Sequence, residues 1–249
     1  MKTIHRMNKT SQYRFTVVVP VYNEAENIDR LEETFGRYLA AAPVETCVLF
    51  VNDGSTDGSR EALERICAAR DDFYYISFER NAGLSAAIKA GIDYVCSPLV
   101  GYIDADLQTS PEDFDLLLPY ADEYQLVTGI RAARKDTFFK RLQSKIANGF
   151  RRAMTGDGAT DTGCPLKVMQ SAAAKRVPFF KGMHRFLPAL ILLQDGARYK
   201  ELPVRHFPRT AGESKFHLWN RLVSPFMDCF AYRWMKKRAI NYRVAEHNL

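Results

Sequence analysis

The stretch FTVVVPVYNEAENIDRLEETFGRYLAAAPVETCVLFVNDGSTDGS, residues 15–59, decides the fold. Its two apolar runs, FTVVVPV at 15–21 and ETCVLFV at 45–51, are too continuous for strands with one wet face, and each runs into turn residues. Glu24 to Leu39, between them, reads as a helical segment. Two buried strands joined through a helix predict parallel pairing with a crossover connection.

The alternation continues outward: a helical segment at Ser59–Ala69, FYYISF at 73–78, a helix at Leu84–Val95, PLVGYID at 98–104, a helix at Pro111–Ala121 and QLVTGI at 125–130. This order predicts an α/β fold, a Rossmann-like, mostly parallel sheet flanked by helices. Ligands of such sheets bind beyond the carboxyl ends of the strands. The polar motifs fall there: Pro20, Tyr22, Asn23 and Glu24 after the first strand, NDGSTDGS at 52–59 after the second, DADLQ at 104–108 after the fourth, and Gly129 with Arg131 at the fifth.

Beyond residue 135 the pattern lapses. Residues 138–154 place Phe139, Leu142, Ile146 and Phe150 at helical spacing among basic residues, predicting a basic amphipathic helix. A Gly/Thr/Asp loop follows at 155–165, then a helix around 169–176 and a strand-like piece at 199–207. From Leu218, Ser224 and Pro225 read as an N-cap and first turn. Phe226, Met227, Phe230 and Trp234 then recur at helical spacing before Lys236, Lys237 and Arg238. That pattern fits an acidic membrane surface, and it equally fits a helix packed on the domain with a solvated basic end. The predicted division is a flexible tail at 1–14, one domain at 15–217 and a C-terminal amphipathic helical region at 218–249.

With 249 residues, 47% of them hydrophobic and 26% charged, the composition is that of a globular protein. The net charge of +6 and pI of 9.0 suit an anionic partner: nucleic acid, an acidic membrane or a phosphorylated substrate. Cysteines 47, 67, 96, 164 and 229 form no CxxC pair, so neither a zinc site nor a disulfide framework is expected, which fits a reducing cytosol. The first fourteen residues lack the apolar segment and cleavage site of a signal peptide. No apolar run approaches the roughly 20 residues that span a bilayer, so membrane contact is expected to be peripheral or through a partner.

DADLQ carries the sharpest chemistry. Asp104 and Asp106, one residue apart at the end of a buried strand, point the same way in extended geometry, and Gln108 adds an amide oxygen. Such hard donors suit Mg²⁺ or Mn²⁺ sharing its shell with a diphosphate. An Asp-x-Asp pair also occurs in ordinary surface loops; here Thr109-Ser110-Pro111-Glu112 follows as a helix start that fixes the turn. NDGSTDGS reads either as a plain Gly/Asp turn or as a nucleoside site, with Asp53 accepting from base or ribose and Tyr22 against the ring.

VVVPVYNEAENI, FVNDGSTDGS, RNAGLSAAIKAGI and GYIDADLQTSPEDF, in this order, resemble the family 2 glycosyltransferases, which share the GT-A fold. TGIR at 128–131, SKIANGFRR, TDTGCPLKV at 160–168 and HFPRTAGESKF at 206–216 look most like the dolichyl-phosphate mannosyltransferase and polyprenyl-phosphate glycosyltransferase branch. The resemblance covers residues 15–217. It implies nucleoside contacts from Pro20, Tyr22, Glu24 and Asp53, and metal ligation by Asp104, Asp106 and Gln108. It also implies that Arg131 meets an acceptor phosphate, while Arg209, Ser214 and Lys215 close over the donor diphosphate. Some members carry two aspartates where this chain has Asn52-Asp53.

The implied reaction is inverting transfer from a UDP- or GDP-sugar to a polyprenyl or dolichyl phosphate, at the cytoplasmic membrane face. The alternative within the family is extension of a polysaccharide or lipid-linked glycan. That acceptor hydroxyl would call for a base, for which Asp161 and His217 are candidates. Many bacterial members of the branch carry transmembrane helices after the GESK element, so a separate membrane protein is an expected partner. A nucleic-acid module would need a basic stripe with stacking aromatics and leaves DADLQ beside NDGST without a role, so nucleic acid is not an expected partner.

Overall fold

The computed structural model describes residues 8–131, 148–207, 218–241 and 245–246. Seven strands form one sheet: β1 Phe15–Val21, β2 Thr46–Asn52, β3 Phe73–Ser77, β4 Leu99–Tyr102, β5 Leu126–Arg131, β6 Lys167–Gln170 and β7 Tyr199–Val204. Their spatial order is β3-β2-β1-β4-β6-β5-β7. β1 pairs in parallel with β2 and β4, β2 with β3, and β5 with β7, whereas β6 runs antiparallel to both β4 and β5. The mostly parallel sheet expected from the alternation is present.

Both sheet faces are covered, as the unbroken apolar strands require. Because side chains alternate along a strand, Val17 and Val19 face α1 (Ile28–Ala41), packing near Leu31 and Phe35, while Val18 faces α3 (Leu84–Tyr94). A Cβ on Gly91 of α3 would lie 2.3 Å from Val18, so a glycine is needed for this helix to rest on β1. α2 (Ser59–Ala68) joins the α1 face through Leu63 and Ile66. The short helix Leu187–Ile191 and the C-terminal helix, Leu218–Lys236, complete the α3 face.

Four local expectations change. Residues 169 and 170 belong to β6 rather than to a helix at 169–176, which shrinks to Ser171–Lys175: the gap between β4 and β5 outweighs the helical preference of Met169 and Gln170. Pro111–Ala121 is no single helix, because Pro119 lacks the N–H that would continue it. It becomes 3₁₀ turns flanking a four-residue helix, Phe114–Leu117. Residues 8–13, read as part of a frayed tail, fold into a 3₁₀ turn at Lys9–Gln12. Asn8 Nδ2 donates to Tyr94 O at 2.6 Å, and Cys96 N donates to Thr10 Oγ1 at 2.8 Å.

The fourth concerns the C-terminal helix, which begins before Pro225 and keeps that proline inside it, so Ser224-Pro225 is not its start. Its inward side carries Cys229 and Tyr232, both buried, with Tyr232 Oη donating to Ala189 O at 3.1 Å. Phe226, Met227, Phe230 and Trp234 face outward, half exposed. Phe150, on the helical residues 148–155, stacks on Phe226 with centroids 4.9 Å apart; residues 138–147 of the predicted basic helix lie outside the described residues. All five cysteines are free, and among the described residues no helix is long and apolar enough to cross a membrane.

Candidate active site

The loops after β1 and β2 are stitched together. Asn23 adopts φ 52, a left-handed turn that asparagine tolerates. Its backbone N–H donates to Ser55 Oγ at 3.0 Å, and its Oδ1 accepts from Thr56 N at 2.8 Å. Glu24 N and Ala25 N donate to Ser59 Oγ and Asp57 Oδ2. Pro20, Tyr22 and Glu24 thus sit on one braced edge, with Tyr22 36% exposed and able to meet a planar ring.

Asp53 is held by its own chain. It is 3% exposed, and its carboxylate accepts from Ala82 N at 2.7 Å, Gly83 N at 2.9 Å and Asn81 Nδ2 at 2.9 Å. Burial pushes its carboxyl up, and the Ala82 and Gly83 N–H groups oppose that shift. Of the two readings of NDGSTDGS, the architectural one fits Asp53, which anchors the loop Asn81–Gly83 at the head of α3. Gly54, at φ 65, allows the approach: a Cβ there would lie 2.3 Å from the carbonyl carbon of Arg80. Asn52 is also engaged, its Oδ1 accepting from Ser55 N at 3.1 Å.

DADLQ leaves β4 through a second left-handed residue, Leu107 at φ 52, an uncommon conformation for a leucine. Tyr102 Oη donates to Asp104 Oδ1 at 2.5 Å, and Asp106 Oδ1 accepts from Gln108 N at 3.1 Å. Burial, then the neighbouring Asp106, push the Asp104 carboxyl up to about 6 against the opposing Tyr102 bond and the charges of Lys167 and Arg131. Gln108 Nε2 donates to Phe207 O at 3.4 Å, tying the acidic loop to the segment after β7.

Arg131, at the end of β5, is gripped by Asp161. Its Nε and Nη2 reach Asp161 Oδ2 and Oδ1 at 2.9 and 2.8 Å, and its backbone N–H adds a third bond to Oδ2 at 3.1 Å. Burial alone would raise the Asp161 carboxyl, but the guanidinium outweighs it and holds Asp161 below the ordinary range. Lys167, a residue without an assigned role in the motifs, is 1% exposed on β6, in register with Tyr102 on β4 and Thr128 on β5. Its Nζ donates to Cys164 O and lies 5.9 Å from the Tyr102 ring centre. The lone lysine inside the apolar run PLKVM was the available signal. Arg209, Ser214, Lys215 and His217 lie outside the described residues.

The structure thus brings Asp104 and Asp106 beside a buried group of Lys167, Arg131 and Asp161. Among the described residues no three His, Cys, Asp or Glu side chains gather as a complete metal cage. Two carboxylates on a fixed turn fit Mg²⁺ or Mn²⁺ instead, since these ions take few protein ligands and share their shell with phosphates and water. A metal held by Asp104 would have to displace its proton, so if Asp104 is a ligand Mn²⁺ affinity falls about tenfold per pH unit below about pH 6 and levels off above it. Calorimetric titration with MnCl₂ checks this; equal affinity at about pH 5 and about pH 7.5 would remove Asp104 from the ligand set.

Compared with known proteins, residues 16–179 match the profile of Glycosyl transferase family 2. The undecaprenyl-phosphate 4-deoxy-4-formamido-L-arabinose transferase of Edwardsiella ictaluri (strain 93-146) is 37% identical over 217 residues, which is 84% of this chain and 65% of that relative. The chain therefore spans about two thirds of its curated relative's length, just under that fraction. Among solved structures, glucosyl-3-phosphoglycerate synthase from Mycobacterium tuberculosis, in complex with Mn²⁺, UDP-glucose and phosphoglyceric acid, superposes with a TM-score of 0.65 at 14% identity, over 93% of this chain and 82% of that one. A mannosyltransferase from Pyrobaculum calidifontis, in complex with GDP-Man and Mn²⁺, gives 0.61 at 20% identity, over 93% and 66%. At these identities the likeness establishes the fold, which is GT-A.

Proposed function

The chain belongs to glycosyl transferase family 2, and from that premise we propose that it moves a sugar from a UDP- or GDP-sugar onto a polyprenyl phosphate with inversion at the anomeric carbon. The carrying observation is the Asp104–Asp106 pair on its fixed turn, beside Arg131 and Lys167. Asp104 and Asp106 would hold Mg²⁺ or Mn²⁺, which when bound neutralises the diphosphate and eases its departure. Tyr22 and the braced β1 and β2 loops receive the nucleoside. Asp161 consumes two side-chain N–H groups of Arg131 and fixes the guanidinium plane, leaving Nη1 for an acceptor phosphate oxygen.

The state of Asp161 favours this acceptor over a sugar hydroxyl. A hydroxyl must lose its proton to a base, and a carboxylate held below its ordinary range by a bidentate arginine is a poor one. A lipid phosphate is already anionic near neutral pH and needs alignment and charge neutralisation rather than a base. The likeness to a relative named as an undecaprenyl-phosphate transferase supports the same choice.

The lipid acceptor implies a membrane surface, and we assign that contact to the outward face of the C-terminal helix. Phe226, Met227, Phe230 and Trp234 form it, with Arg238 4.8 Å from the Trp234 ring and Lys237 following the helix. The protein then works peripherally, at the cytoplasmic leaflet where sugar nucleotides are available. One experiment tests both parts: liposomes with anionic lipid and polyprenyl phosphate, read by sedimentation and by release of UDP or GDP from their sugars. Expected are Mg²⁺- or Mn²⁺-dependent release that requires the lipid phosphate, and at least about tenfold weaker sedimentation for the double variant Phe226→Ser/Trp234→Ser. Release that ignores the lipid phosphate, or unchanged sedimentation, would refute the respective part.

A further inference from the structure

One polar pair, Ser85 and His184, has no role in the site described so far, although Ser85 falls within the quoted RNAGLSAAIKAGI. Ser85, in the first turn of α3, follows directly on the loop that Asp53 anchors. Its Oγ lies 2.7 Å from His184 Nδ1 and accepts from Gly182 N at 2.9 Å. A backbone N–H can only donate, so one lone pair of Ser85 is fixed, and Nδ1 is the described acceptor within reach of its single hydroxyl hydrogen. When that hydrogen points at Nδ1, Nδ1 is the accepting nitrogen and the ring proton sits on Nε2, the tautomer the proposal uses.

The turn that presents this ring requires a glycine. Gly182 adopts φ 92, and a Cβ there would lie 2.5 Å from Asp228 Oδ2 of the C-terminal helix. Met183 and Phe186, on either side of His184 and Arg185, are buried in the α3 face of the core. His184 is mostly but not fully buried; among the described residues nothing bonds Nε2, and that atom is not among the orphaned buried ones. Burial first, then the charges of Arg185 and Lys167, push the imidazole down to about 3, so the ring is neutral at working pH. Ser85 follows the loop after β3, on the same carboxyl edge of the parallel strands as the acidic loop after β4, and its bond to His184 places the imidazole on that edge. An uncharged N–H beside fixed cations suits a phosphate oxygen, since it donates without adding another buried charge.

We propose that His184 is a substrate-binding residue, oriented by Ser85 so that its Nε2–H donates to a phosphate oxygen of a bound substrate. The assignment rests on the transfer reaction inferred above, and either the acceptor phosphate or the donor diphosphate can supply the oxygen.

The test uses the full chain labelled with ¹⁵N-histidine and long-range ¹H–¹⁵N correlation, with the His184→Gln spectrum identifying the signal. Expected is the neutral Nε2–H pattern, with the Nε2 resonance shifting on addition of geranyl phosphate or of UDP with Mg²⁺, and a mixture of tautomers in Ser85→Ala. In transfer assays His184→Gln, whose amide N–H falls near the Nε2 position, should stay within about threefold of wild type. His184→Asn, whose amide falls near Nδ1, should raise KM for the phosphate-bearing substrate at least about tenfold with a smaller change in kcat. An Nδ1–H ring, a resonance unmoved by every probe, or equal effects of Gln and Asn would overturn the assignment. Shifts with UDP and Mg²⁺ but none with geranyl phosphate would keep His184 as a phosphate ligand and remove the lipid acceptor from the functional reading.

Discussion

Asp106→Asn is expected to lower transfer by about a thousandfold or more while leaving the fold in place. Asparagine keeps an Oδ1 that can accept from Gln108 N, so the turn at Leu107 retains its side-chain bond. What it loses is charge, one of the two carboxylates that a divalent cation needs when it has so few protein ligands. A second readout follows from the same substitution. Asp106 is the neighbour that, after burial, raises the Asp104 carboxyl, so the variant should bring the Asp104 titration down from about 6. Wild-type turnover in a folded Asp106→Asn protein would end the case for a metal-assisted diphosphate at this loop.

Arg131→Ala should do two separable things. It strands the Asp161 carboxylate, whose side chain is 14% exposed, and leaving a buried charge uncompensated costs about 3–5 kcal/mol. It also removes the guanidinium proposed for the acceptor phosphate, a loss of about a hundredfold or more in transfer. Stability and chemistry are separated by the double variant Arg131→Met/Asp161→Leu, because replacing a buried ion pair with apolar groups of similar size is often close to neutral. Denaturant midpoints near wild type together with negligible transfer are expected. If the double variant transfers sugar normally, the pair is architectural and the acceptor phosphate is met elsewhere.

The fold was legible because its signals are local. FTVVVPV and ETCVLFV can only be strands wet on neither face, and each motif loop follows from where such a strand must stop. β6 was not legible: KVMQ is short and has ordinary helical preference, and it is a strand only because β4 and β5 leave a gap for it. The acidic pair stood out by its spacing, but the reason expected for it, two side chains on one side of an extended chain, does not hold: Ala105 and Asp106 lie in a turn that leads into left-handed Leu107. Asp53 could not be assigned, because its partners Asn81, Ala82 and Gly83 are far along the chain and two of the bonds come from backbone N–H groups that carry no residue-type signature. Asp161 was visible as a carboxylate in a Gly/Thr loop, yet its grip on Arg131 turns a candidate base into a clamp. Lys167 and the Ser85–His184 pair lacked a motif role for the same reason as Asp53: their meaning lies in which strand or helix they come to face.

The placement of β6 also governs how the molecule can be assembled and divided. β3, β2, β1 and β4 are consecutive in the sheet and drawn from the first 102 residues, whereas β5 and its neighbour β7 join them in the sheet through β6. A chain that has emerged only as far as Arg131 therefore has the four-strand ledge with its β1 and β2 loops but nowhere to hang the strand that ends in the arginine. The two flanks of the cleft are joined by a late four-residue bolt, so neither flank can be excised as an independent working part.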